Sequence, residues 1–134
     1  MTSYFPDQGL IKLLDLITVN DLKIHAFTNN ITPSDSTVLS GLTEAAWTGY
    51  AAVTLTNANW VSLGVTSHIG TKVYPTVTFS NTSGSPVTTY GGYITDNAGT
   101  VLIAVWLWDS SPVTIAATTG TYSFIPTIGD LSQN

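Results

Sequence analysis

The chain contains no cysteine and no arginine, and its only lysines are Lys12, Lys23 and Lys72. Without cysteine there can be no disulfide and no thiolate metal site, and the redox compartment is left open. Without arginine, and at a net charge of −5, the chain lacks the groups that neutralise phosphates and supply most affinity for nucleic acid. The same shortage argues against anionic membrane surfaces. Long apolar runs are missing as well, since none approaches the roughly 20 residues that cross a bilayer. No nucleic acid and no membrane are therefore expected as partners. The first residues lack the basic stretch of a secretory signal, and the apolar run 10–19 is interrupted by Lys12 and Asp15, so the chain is expected to stay in the cytoplasm where it is made.

Charged residues make up 8% of the 134 residues, against a usual share of about a quarter. The surface must instead be built from Thr, Ser, Asn and Gly. With 43% hydrophobic residues, including four Trp, six Tyr and four Phe, the composition is that of a folded chain, and its length fits one domain.

One amphipathic helix is expected over residues 8–19, where Leu10, Leu13, Leu14 and Ile17 recur at helical spacing behind Asp7 as N-cap. Its stripe either covers its own sheet or docks on a neighbouring subunit. From residue 22 onward, β-branched and aromatic residues alternate with Thr and Ser, and turn clusters recur roughly every 8 to 12 residues. Strands are expected over 22–28, 49–56, 60–65, 72–80, 87–96, 101–108, 113–117 and 122–127. About eight strands in this length predict an all-β fold: an antiparallel, jelly-roll-like β-sandwich over 21–134, preceded by an arm and helix over 1–20. The turns at 81–86 and 96–99 predict a three-stranded meander over 73–108. Gly91-Gly92 inside its middle strand signals a bulge or a close approach by another backbone. Residues 29–48 read as a long loop, a candidate contact region.

No catalytic constellation stands out. His25 lies in a strand and His68 in a turn, neither with a second ligand at metal spacing. The serines lack a nucleophile-elbow motif, and the acids Asp7, Asp15, Asp21, Asp35, Glu44, Asp96, Asp109 and Asp130 fall mainly where turns and caps use them. A calcium loop at 96–100 would need denser acids. The chain is expected to be no enzyme, with no cofactor and no metal. Asn81-Thr82-Ser83 matches the glycosylation acceptor pattern, as chance matches do in a chain rich in Asn and Thr.

The most informative cluster is Val105-Trp106-Leu107-Trp108. The two tryptophans project from one face of a strand, either inward as core anchors or outward as an aromatic platform. Because Val105 and Leu107 make the other face apolar too, the strand is either central and covered or buried in an oligomer contact. A homo-oligomer is expected, with contacts in two regions. The first is the N-terminal segment 2–19, with Tyr4, Phe5, Leu10 and Leu14. The second is the loop 29–48, with Asn29, Asn30 and Trp47, joined by Trp106 and Trp108. The alternative is a carbohydrate-binding or receptor-binding module that uses Trp106 and Trp108, or Trp47 and Trp60, for stacking.

Several segments carry a resemblance. They are Leu22-Lys23-Ile24-His25-Ala26-Phe27-Thr28-Asn29-Asn30 with Thr32-Pro33, then Leu42-Thr43-Glu44-Ala45 leading to Gly49-Tyr50-Ala51, and Val77-Thr78-Phe79-Ser80-Asn81 before Tyr90-Gly91-Gly92-Tyr93-Ile94-Thr95-Asp96. Across most of the chain after the helix, the sequence resembles small phage-encoded, virion-associated proteins. The resemblance implies a virion role as a capsid decoration (cement) protein on the head surface. Its partner would be the major capsid protein or another virion protein, and a trimer the favoured oligomer. The motifs are structural, and no site residues transfer with them.

Overall fold

The computed structural model describes residues 6–67 and 69–129. Tyr4, Phe5, His68 and Asp130 lie outside the described residues. The chain is mostly antiparallel β-structure with one short helix, α1 (Asp7–Thr18). Eleven strands follow among the described residues. These are β1 (Leu22–Phe27), β2 (Val53–Leu55), β3 (Val61–Thr66), β4 (Ile69–Val73), β5 (Val77–Asn81), β6 (Val87–Thr89), β7 (Gly91–Asp96), β8 (Leu102–Leu107), β9 (Val113–Ile115), β10 (Gly120–Phe124) and β11 (Thr127–Gly129). They form a four-stranded sheet in the order β2-β1-β7-β8, a three-stranded sheet β11-β4-β3, and the pairs β10-β5 and β6-β9.

Three expected strands are each broken in two. Pro75 parts β4 from β5 and Pro126 parts β10 from β11, because proline has no N–H to give a ladder. The Pro126 carbonyl still accepts from the Tyr74 N–H at 2.9 Å, which keeps the two broken strands side by side. At Tyr90 the chain leaves β6, paired with β9, and enters β7, paired with β1 and β8. The expected meander over 73–108 does not form. The turn at 81–86 carries the chain between sheets, since β5 pairs with β10 and β6 with β9.

The second turn does join neighbours, β7 and β8. Asp96 closes it: one carboxylate oxygen accepts from the Thr100 N–H at 2.6 Å and the Val101 N–H at 2.9 Å, and the other accepts from the Thr100 hydroxyl. The carboxylate that a calcium loop would offer is thus spent on the turn's own donors.

Helix α1 starts at Asp7, one residue before the expected start. The cap position is taken by Pro6, whose carbonyl accepts from Gly9 and Leu10. Its apolar stripe faces β4, where a Cβ on Gly70 would come within 2.9 Å of Leu14 Cδ1. Lys72 of β4 completes the seal from below the stripe. Its ammonium donates to the Thr18 hydroxyl at 3.0 Å and pairs with Asp15 at 2.7 Å, while Thr18 donates to the Leu14 carbonyl. A buried ammonium is tolerable only with such partners. Leu14 is 0% exposed and Leu10 is buried beside it, so both anchor the helix to its own sheet and neither can reach a neighbour. Leu14→Ala is expected to cost about 3 kcal/mol of stability through the cavity it leaves. Denaturation should read that loss, and sedimentation should find the solution mass unchanged.

Asp15 and Asp96 titrate below the ordinary 3.8, the first through its hydrogen bond from Lys72, the second through the backbone donors of Val101 and Thr100. Each binds a proton less readily folded than unfolded. The stability each adds is complete above the ordinary carboxylate range and is lost as pH falls through the lowered values. The urea midpoint should therefore hold down to about pH 5 and fall below about pH 4. In the Asp15→Asn, Asp96→Asn double variant that acid decline should be shallower.

Candidate functional site

The tryptophan strand β8 is an edge strand of the four-stranded sheet, paired with β7 alone. Its register places Trp106 opposite Gly92 and Leu107 opposite Gly91. The two glycines exist for rings. A Cβ on Gly92 would stand 2.6 Å from Trp106 and 2.8 Å from Trp108, and one on Gly91 would stand 2.6 Å from the Phe27 ring. Gly92 thus makes room for both indoles, and what approaches most closely there is side chain, where another backbone was expected. At Gly91 the Phe27 ring is joined by the Trp106 carbonyl of the neighbouring strand.

The tryptophan pair is neither all core nor all platform. Trp108 is 4% exposed and belongs to the hydrophobic core, while Trp106 is half-buried at its margin, their rings edge to face at 6.0 Å. Trp108 therefore offers no contact surface. Its ring touches Tyr122 at 4.9 Å and Phe124 at 4.8 Å, both half-buried on β10, and its indole N–H donates to Thr89. Like β8, β10 pairs on one side only, with β5. Aromatic rings bridge these two strands where no backbone ladder does. Beside them a cleft of about 540 Å³ opens, lined by Trp106, Trp108, Asp109, Tyr122 and Phe124 and continued by 125–127. Burial raises the Tyr122 hydroxyl's pKa, with the Asp109 charge adding to it. Among the described residues, the Trp106 indole N–H, the Tyr122 hydroxyl and the Asp109 carboxylate have no protein partner.

The other expected contact residues are scattered. Asn29 closes the loop 29–48 on itself: its amide donates to the Gly41 carbonyl at 2.9 Å and accepts from the Thr43 N–H at 2.8 Å. Asn30 beside it is exposed. The loop's far end is bound back to β1 through Thr28 to Thr43 and Ala45 to Ala26. Trp47 is half-buried and donates to the Ser80 carbonyl at 2.8 Å. Trp60 is buried against Tyr74, its indole N–H the only buried side-chain donor without a partner among the described residues. Trp47 and Trp60 do not make a joint surface.

His25 was expected to be structural, and it organises a buried network. Its ring stacks on Tyr93 at 4.6 Å and 7°. Nδ1 lies 2.8 Å from Glu44 and Nε2 lies 3.0 Å from the Thr95 hydroxyl. Thr95 donates to the Asp96 carbonyl, which leaves its oxygen to accept from Nε2. Glu44 also accepts from the Tyr50 hydroxyl, which in turn accepts from the Ala26 N–H. The order carboxylate, imidazole, hydroxyl is that of a nucleophilic triad. Here the hydroxyl residue, Thr95, is 1% exposed, so no substrate atom can reach it. The network ties the loop, through Glu44, to the middle of the sheet. Burial raises Tyr50 well above the ordinary tyrosine value, and it raises Tyr93 to about 12, with Glu44's charge adding in both cases.

No group of three or more His, Asp or Glu among the described residues is placed to hold a metal ion. No described helix is long and apolar enough to cross a membrane. Comparison of the chain with protein-family models, curated proteins and solved structures finds no match.

Proposed function

We propose that this chain is a structural virion protein: a capsid decoration protein that is made in the host cytoplasm, binds the phage head surface as an oligomer and stabilises it. The observation that carries the reading is the state of its sheet edges. Strand β8 and the turn before it form a stretch, 101–107, without a single charge. It ends its sheet and leaves Val101 54% and Ile103 37% exposed. Soluble chains ordinarily blunt such an edge with Lys, Pro or a covering loop. A second edge of the same kind ends the three-stranded sheet at β3, where Val61 and Leu63 are exposed. Two different apolar edges on one chain suit a head-to-tail contact that closes into a ring, which favours a trimer over a twofold dimer.

The jelly-roll-like sandwich belongs to this reading. The β2-β1-β7-β8 sheet supplies Leu22, Ile24, Leu55 and Ile94 to a core that also receives Tyr74, Val77, Phe79 and Ile128 from the strands of the smaller sheets. Such two-layer packing leaves β-edges at the periphery, where a lattice can use them.

The decisive measurement is mass spectrometry of purified particles from the source, with this chain expected at a copy number comparable to that of the capsid subunit. Its absence from particles would end the proposal. In solution, Ile103→Lys is expected to move the sedimentation mass from oligomer to monomer.

A further inference from the structure

We propose that the aromatic cleft between β8 and β10 is a binding site for a neutral saccharide. Saccharide recognition combines flat aromatic faces, which take the C–H side of a pyranose, with a few polar groups that meet its hydroxyls. The cleft holds both kinds of group. Trp106, Tyr122 and Phe124 are half-buried around it over the buried floor of Trp108. Three polar atoms remain unspent by the fold: one N–H donor on Trp106, one hydroxyl on Tyr122 and one carboxylate acceptor on Asp109. A solely structural aromatic cluster has no use for three free hydrogen-bonding groups of mixed kind on one wall.

Charge settles the class of sugar. None of Lys12, Lys23 and Lys72 lines the cleft, and its only ionic group is the Asp109 carboxylate. An anionic glycan or a phosphate would meet repulsion and no compensating cation. An extended peptide would seek a run of unpaired backbone to extend a sheet, but the floor between the two strands presents rings. About 540 Å³ lies within the usual range for small-ligand clefts.

The proposal does not rest on the virion reading. It is tested by applying the purified chain to an array of neutral and anionic oligosaccharides, then titrating the strongest neutral binder against tryptophan fluorescence. Binding confined to neutral glycans is expected, and Asp109→Ala and Trp106→Ala should each weaken it at least tenfold. Asp109 is exposed and holds nothing in the fold, so its variant stays informative even if loss of Trp106 disturbs folding, which circular dichroism would show. An array without neutral binders, a preference for anionic glycans, or a titration unchanged by Asp109→Ala would overturn the site. So would an empty array together with a change of solution mass in Trp106→Ala, which would give the cleft to a second copy of the chain.

Discussion

Replacing Asn81 by alanine is expected to lower the unfolding free energy by about 4 kcal/mol, because several buried backbone groups lose their partner at once. Asn81 is 0% exposed. Its amide nitrogen donates toward the carbonyls of Ser85, Ile115 and Ala116 at 3.0, 3.2 and 3.0 Å. Its oxygen accepts from the N–H of Ser83 at 2.9 Å and from the Ser83 hydroxyl at 2.6 Å. One side chain thus fastens the turn after β5 to the end of β9, across a sheet boundary that no ladder crosses. Urea denaturation monitored by tryptophan fluorescence would measure the loss. Ser85→Ala keeps the carbonyl that Asn81 uses and should change stability by less than about 0.5 kcal/mol. The same burial closes Asn81 to glycosylation in the folded chain.

Gly91→Ala is expected to cost about 3 kcal/mol, an overpacking loss at the upper end of its usual range. The added Cβ would collide with the Trp106 carbonyl and stand 2.6 Å from the Phe27 ring. One obstacle is backbone of a paired strand and the other a fully buried ring, so neither can swing aside. A comparison with Gly99 separates space from backbone strain. That residue has φ of 74° in the β7–β8 turn with open space around it, and its alanine variant should lose only about 1 kcal/mol. Equal losses at the two positions would mean that packing at Gly91 is looser than the cross-strand geometry indicates.

Much of the local structure was legible because it depends on neighbours in sequence. The stripe Leu10, Leu14, Ile17 marked α1, the turn 96–99 marked the β7–β8 hairpin, and Gly91-Gly92 marked a crowded place. The failures were of pairing. Nothing near Val77 or Gly120 indicates that β5 and β10 will meet, because that choice is made by the whole core. Pro75 and Pro126 did carry a signal for the two broken strands, and the expected boundaries ran past both. The cleft was half legible. Trp106 and Trp108 stood out by their i, i+2 spacing, yet Tyr122 and Phe124 share that spacing and were read only as strand residues. Facing pairs of this kind, on strands distant in sequence, mark a place where rings can meet.

The Lys72 anchor beneath helix α1 also governs how this chain can be detected. Trypsin cuts after lysine and arginine, and with arginine absent only three positions remain. Lys72 is buried in its ion pair and Lys23 lies within β1, flanked by strands on both sides, so in the folded protein both are shielded until the structure opens. Cleavage of the native chain should be confined to the exposed Lys12, and even a denatured digest yields few, long peptides. A particle proteome read through trypsin would undercount this chain or miss it. Its fourteen or so aromatic residues (four Trp, six Tyr, four Phe) make chymotrypsin the protease with which the search should be done.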